Sequence, residues 1–226
     1  MDLALISLAL PKFLIGTMVT LELTISSLAI GFVLAILLVL GDFAKGNIIK
    51  LPIKTFVAFM RGTPLLVQIF IIYYGLSQFE WLRVTLFWSV LKEPFACALI
   101  ALALNTSAYT MVIFRGAINS IPKGEIEACK ALGMSTGMMV FRILLPRAIK
   151  LSLPAYSNEV IMILQGTSLA STITILELTG VTKQLISQTY EVMELFILSG
   201  VIYLILTMVV VKIFVKLTPR YLEIQK

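Results

Sequence analysis

Glu127-Ala128-Cys129-Lys130-Ala131-Leu132-Gly133, closed thirteen residues later by Ile143-Leu144-Leu145-Pro146, is a charged island between long hydrophobic runs. The 226 residues are 59% hydrophobic and 13% charged, with a mean hydropathy of +1.02. A soluble domain of this length has no interior large enough for so much apolar surface, whereas a bilayer accepts it. Each helical crossing of the roughly 30 Å hydrocarbon core takes about 20 apolar residues. Counting outward from the island gives five spans, about Phe13–Leu40, Phe56–Ser77, Pro94–Phe114, Leu151–Ile173 and Glu194–Lys216. All five are expected to be helical, because an open strand leaves its backbone unpaired in lipid. The reading is an all-α integral membrane protein forming one domain over residues 1–226. The start lacks a basic n-region and cleavage site, so the first span is expected to stay.

Basic residues set the orientation. The first loop holds Lys45, Lys50 and Lys54. The third holds Arg115, Lys123, Lys130, Arg142, Arg147 and Lys150, and the tail holds Lys212, Lys216, Arg220 and Lys226. Together these are thirteen of the eighteen Lys and Arg, against Lys12, Arg83, Lys92 and Lys183 on the other side. The N-terminus is therefore expected outside and the C-terminus in the cytoplasm. The net charge of +6 then reflects topology and contact with anionic lipid, not nucleic-acid binding.

Several chemistries are disfavoured. The chain has no histidine, which removes the commonest general base and metal ligand. It has no Gly-x-x-x-x-Gly-Lys-Ser/Thr loop for ATP, and Cys97 and Cys129 lack metal-ligand company. No enzyme activity, cofactor or metal is expected in this chain.

The island, about residues 120–146, carries its own helix signals. Pro122 suits the first turn of a helix, and Glu125 and Glu127 follow where the positive helix end favours carboxylates. Gly133 can end that helix in the left-handed conformation. Ser135 or Thr136 can cap a second helix, expected to stop near Pro146. The segment reads either as a bent docking element or as an amphipathic loop on the membrane surface.

Its spelling resembles the Glu-Ala-Ala-x3-Gly-x9-Ile-x-Leu-Pro pattern of the membrane subunits of bacterial ATP-binding-cassette importers. Glu127, Ala128, Gly133, Ile143, Leu145 and Pro146 match in register, and Cys129 stands for the second alanine. Arg61-Gly62-Thr63-Pro64-Leu65-Leu66-Val67-Gln68 is similar to the second-span motif of the polar amino-acid permeases in that group. Phe114-Arg115-Gly116-Ala117-Ile118 and Ile121-Pro122-Lys123-Gly124 resemble their lead-in. Thr167-Ser168-Leu169-Ala170-Ser171 with Glu177-Leu178-Thr179 resembles their fourth-span ending. One departure is Gln165-Gly166, where many relatives carry Lys-Asp.

The resemblance implies a type I importer permease. Two permease subunits, a homodimer or a heterodimer with a sister chain, would form the path over two ATPase subunits that hold ATP and Mg. An extracytoplasmic binding protein would deliver the amino acid. Lys123, Glu127, Ala128, Gly133 and Pro146 would then belong to the coupling segment seated in each ATPase. A secondary transporter or channel is the alternative from another class; it would not need the 127–146 segment.

Ionisable groups inside a span suggest function. Glu159 lies nine residues beyond Lys150, about 13–14 Å along the helix, with Asn158 beside it. Arg61 precedes Gly62-Thr63-Pro64, which reads as an interrupted helix of the kind that lines transporter sites. Glu159, Asn158, Arg61 and Thr63 are thus the substrate-binding candidates. A carboxylate at Glu159 favours arginine, lysine or histidine, with glutamine, glutamate or another polar amino acid as the alternative. The competing reading pairs Arg61 with Glu159 structurally. Glu22 is expected to turn into the bundle and pair. Glu177 is expected on a solvated outer loop with Glu191 and Glu194, and Phe79, Trp81, Phe87 and Trp88 in an interfacial aromatic belt.

Overall fold

The computed structural model describes residues 3–44 and 46–218; Lys45, Arg220 and Lys226, counted above for orientation, lie outside the described residues. Among the described residues every regular element is a helix. In chain order these are α1 (Leu3–Asp42), α2 (Asn47–Gly62) and α3 (Leu65–Phe70), which runs on in a wider π turn to Gly75 and a 3-10 turn to Gln78. Two short helices follow, α4 (Glu80–Arg83) and α5 (Trp88–Leu91). Then come α6 (Pro94–Asn119), α7 (Lys123–Ala131), α8 (Thr136–Met139), α9 (Leu145–Gly166), α10 (Leu178–Thr189) and α11 (Val192–Leu217). Ala9–Asp42, Pro94–Asn119 and Val192–Leu217 are each long and apolar enough to cross a membrane, and two bent helix pairs raise the number to as many as five.

The bundle is organised around α6, which packs most extensively on α1 and next on α9. Lipid tails are as apolar as leucine, so helices gain little in a membrane from hiding apolar surface; close van der Waals packing of small residues holds them together. Ala98, Ala101, Ala103 and Ala108 are buried on α6, and Gly31 of α1 lies against the same helix. A Cβ at Gly31 would fall 2.2 Å from Thr106 Cγ2 and 3.0 Å from the Ala103 carbonyl oxygen. Towards one end, Leu23, Ile69, Cys97, Leu102, Ile163 and Ile173 form a core. Towards the other, Ala35, Val39, Met111, Phe114, Ile118 and Ala148 form a second. Phe32, Phe114, Tyr156 and Phe214 join α1, α6, α9 and α11 through ring contacts of 5.4–6.3 Å. Cys97 and Cys129 are both free thiols.

Four expectations are corrected. The second span is not one helix: α2 and the segment Leu65–Gln78 meet at 110°. Pro64 carries no N–H and keeps extended backbone (φ −62°, ψ 136°), so the helix breaks there. The helix after Ser135 does not stop at Pro146 but continues to Ile173. The Leu145 N–H reaches back five residues to the Val140 carbonyl; this π register precedes Pro146, which sits in the first turn of α9.

Glu22 does not turn inward. Thr20, Leu23, Thr24 and Ser27 are buried, and Glu22 stands roughly 200° around the helix from Thr20 on the exposed side. Glu177 is fully buried rather than solvated. It caps α10, accepting from the Thr179 N–H (2.9 Å), the Gly180 N–H (2.8 Å) and the Tyr203 hydroxyl (2.8 Å). Glu177 thus ties α10 to α11, and Thr20, accepting the adjacent Leu178 N–H at 3.1 Å, ties α1 to the same turn. Phe79, Trp81 and Phe87 are exposed, with Arg83 stacked 5.9 Å over Trp88.

Gly31→Ala should cost about 1–3 kcal/mol, the usual range for forcing a methyl group into a packed core. Gly116→Ala on α6 meets nothing within 4 Å and should be neutral or stabilising. Thermal unfolding of the two purified variants in one detergent checks the contrast.

Candidate functional site

Apart from Pro146, the capping signals of the 127–146 island act where the sequence puts them. Pro122 precedes α7, and Glu125 lies in the first turn. The end of α7 is a Schellman closure around Gly133 (φ +72°). The Gly133 N–H bonds the Lys130 carbonyl at 2.9 Å, and the Met134 N–H bonds the Cys129 carbonyl at 3.1 Å, so two orphan carbonyls are satisfied. Ser135 then caps α8 by accepting the Met138 N–H at 3.3 Å. Beneath the bend Cys129 is buried with Ile121, Met139, Val140 and Leu144; the small thiol fills the place where the family spelling has alanine. Lys123, Glu127, Ala128, Gly133 and Pro146 are all exposed, with Leu132 81% exposed. Glu125 forms an ion pair with Arg147 at the base of α9. This contact fastens α7 to the continuous helical rod that runs from Thr136 to Ile173.

Further along that rod, Glu159 is buried. Its Oε1 has no hydrogen-bond partner, and neither has the Oγ1 of Thr106 or of Thr110 on α6. The Thr106 hydroxyl lies beside the carboxylate without completing a hydrogen bond to it. Buried polar atoms without partners each cost about 1–3 kcal/mol, and native interiors hold few of them. Glu159 Oε1 and the Thr106 hydroxyl thus sit together at the α6–α9 contact without completed hydrogen bonds, and the Thr110 hydroxyl, about one helical turn along α6, is likewise unpaired. Asn158 is exposed on α9 with Pro154, Ala155, Met162 and Gln165. It stands outside the buried cluster because adjacent helical residues lie about 100° apart.

Arg61 and Glu159 do not pair. Arg61 is exposed, with its guanidinium carbon 5.3 Å from the centre of the Tyr109 ring. Thr63 belongs to the break: its hydroxyl donates to the Phe59 carbonyl (2.8 Å) and accepts from Gln68 Nε2 (2.9 Å). Gln68, buried, also donates to the Met60 carbonyl (2.8 Å), and its Oε1 accepts from Asn105 Nδ2 (3.0 Å). Gln68 and Asn105 therefore satisfy the backbone that Pro64 frees, and they clamp the kink to α6. Sequence reading missed both, together with Thr106 and Thr110. A polar run, Asn105-Thr106-Ser107, in the centre of an apolar span was the signal.

The structure is thus a bundle with membrane-crossing helices, an exposed bent hairpin at one end and a buried carboxylate along the same rod. Comparison with known proteins makes that specific. Residues 28–223 match the family described as binding-protein-dependent transport system inner membrane component, and the chain belongs to that family. It is 49% identical over 211 residues to the nopaline transport system permease protein NocM of Agrobacterium fabrum, covering 93% of this chain and 88% of that one. It is 41% identical over 209 residues to the histidine/lysine/arginine/ornithine transport system permease protein HisM of Escherichia coli, covering 92% and 88%. A crystal structure of an amino acid ABC transporter with histidines superposes with a TM-score of 0.86 at 32% identity, covering 97% of this chain and 99% of that chain.

Gly133→Val should impair uptake by the assembled transporter, because a β-branched residue at positive φ is strained by roughly 1–2 kcal/mol. Gly133→Asn, whose side chain tolerates this region, should retain most of it. Arg147→Glu and Glu125→Arg should each lower uptake severalfold, and the double swap should recover most of it. Uptake assays on the five variants in one vesicle preparation check both statements.

Proposed function

We propose that the chain is the permease subunit of an ATP-driven importer of basic amino acids, and that Glu159 reads the positive charge of the cargo. The observation that carries this is the buried Glu159 Oε1 without a partner, with the unpaired hydroxyls of Thr106 and Thr110 on the helix packed against it. An arginine or lysine side chain brings donors and positive charge, whereas a neutral amide brings donors alone. Hydrogen bonds to a charged group are worth about 1.5–3 kcal/mol, enough to select cargo. The names of the relatives point the same way, since one is a histidine/lysine/arginine/ornithine permease. The other relative is named for nopaline transport.

Arg61 is the residue proposed to meet the cargo carboxylate. It is exposed and paired with a ring rather than with an acid, so its charge is available. Asn158 and Thr63 line the approach in this reading, Thr63 by holding the helix break that places Arg61. ATP and Mg belong to two partner ATPase subunits, a division supported by the lack of a phosphate-binding loop in this sequence. The exposed face of α7 is the surface those subunits grip. A second permease, either the same chain or a sister chain, completes the path, and an extracytoplasmic binding protein loads it. The N-terminus faces outside and the α7 end faces the cytoplasm, as the bias of basic residues indicates.

The test is uptake by the reconstituted complex of permeases, ATPases and binding protein. The wild type should take up arginine in preference to glutamine. Glu159→Gln, similar in shape, should lower arginine uptake about 10- to 150-fold, the value of one charged hydrogen bond, and leave any glutamine uptake within about twofold. Equal loss for both amino acids would remove the charge-reading role. ATP-independent uptake by the permease alone would overturn the driven mechanism.

A further inference from the structure

We infer that the chain carries a binding site for an anionic phospholipid headgroup at the α7 end of the bundle, between α1, α2 and α6. A cavity of about 250 Å³ opens there, lined by Val39, Asp42, Phe43, Lys50, Met111, Arg115, Ile118 and Asn119. That is roughly eight times the 30 Å³ a water molecule occupies in the liquid, room for a phosphate and the start of a glycerol. Its wall holds two cations and one carboxylate. Asp42 lies 3.5 Å from Arg115 Nε, which anchors one edge of the guanidinium. Among the described residues no other hydrogen bond holds Arg115, whose side chain is 47% exposed, so its remaining N–H groups can grip two oxygens of a phosphate. Lys50, in the first turn of α2, makes no ion pair among the described residues, and Asn119 adds an amide. The net charge of this wall is one positive, and its floor is apolar.

The surroundings favour a lipid over a soluble phosphate. Ile48 is 91% exposed, Leu51 65% and Ile49 49%, all in the first turns of α2 beside Lys50. A helix with apolar side chains exposed next to basic ones lies at the level of the headgroups. Basic pockets between transmembrane helices at the cytoplasmic side bind anionic headgroups. The inference uses the orientation proposed above and is independent of the cargo. A lipid seated here would tie the α1–α2 corner to the inner end of α6, one turn before α7.

The experiment reconstitutes the whole transport complex in nanodiscs of phosphatidylcholine holding a minor fraction of phosphatidylglycerol. Native mass spectrometry then reads the lipid retained after detergent extraction. Phosphatidylglycerol should be enriched over its bulk fraction, and Lys50→Glu should lower that enrichment about fivefold or more, what one basic side chain near an anionic surface is worth. A glutamate in the first turn suits the helix dipole, so α2 should persist; Lys50→Gln should give a smaller loss in the same direction. Millimolar inorganic phosphate should displace nothing. Displacement by phosphate would assign the pocket to a soluble anion and overturn the lipid. No enrichment, or equal enrichment in wild type and Lys50→Glu, would overturn the site.

Discussion

In a bilayer core no water is at hand to satisfy a polar atom, so each buried donor and acceptor must be met from within the protein. This constraint shapes the whole structure. Where Pro64 breaks the second span, Gln68 and Asn105 meet the freed backbone. Glu177, buried completely, finds two N–H groups and a hydroxyl. Thr24 and Ser27 return their hydroxyls to carbonyls of their own helix. Against that background the unpartnered oxygens of Glu159, Thr106 and Thr110 stand apart.

The helical rod joining α8 to Ile173 carries that local feature and the base of α7 on one element. Glu125 and Arg147 fasten α7 to the base of the rod, and Glu159 lies twelve residues beyond Arg147, about 18 Å at 1.5 Å per residue. One continuous helical element therefore links the anchor of α7 to the carboxylate. The π turn before Pro146 lets the helix pass a proline without a break, since the Leu145 N–H finds a carbonyl one residue further back. Gly133 supplies the left-handed residue that the bend needs, and Cys129 seals its underside.

Much of this was legible in the sequence. Hydropathy gave helices and their approximate places, and Gly133 and Ser135 act where helix-capping rules put them. The errors share one physical origin: a local rule was applied where a tertiary contact decided. Pro146 was expected to stop a helix, and a register shift absorbed it. Glu22 was expected inside, yet Thr20, Leu23 and Thr24 already fill that side of α1. Glu177 was expected in solvent, but the first turn of α10 and Tyr203 of α11 surround it with donors. Glu159 was visible as an intramembrane carboxylate, whereas its lack of donors emerges only when α6 is laid against α9. Gln68 and Asn105 sit 37 residues apart, and no spacing rule joins them.

The most direct test is a structure of the complete transporter with arginine bound, determined by cryo-electron microscopy. The guanidinium should lie within hydrogen-bonding distance, about 2.7–3.2 Å, of Glu159 Oε1, with the Thr106 or Thr110 hydroxyl completing its shell. Arginine seated elsewhere in the path, with Glu159 Oε1 still unpartnered, would contradict the account.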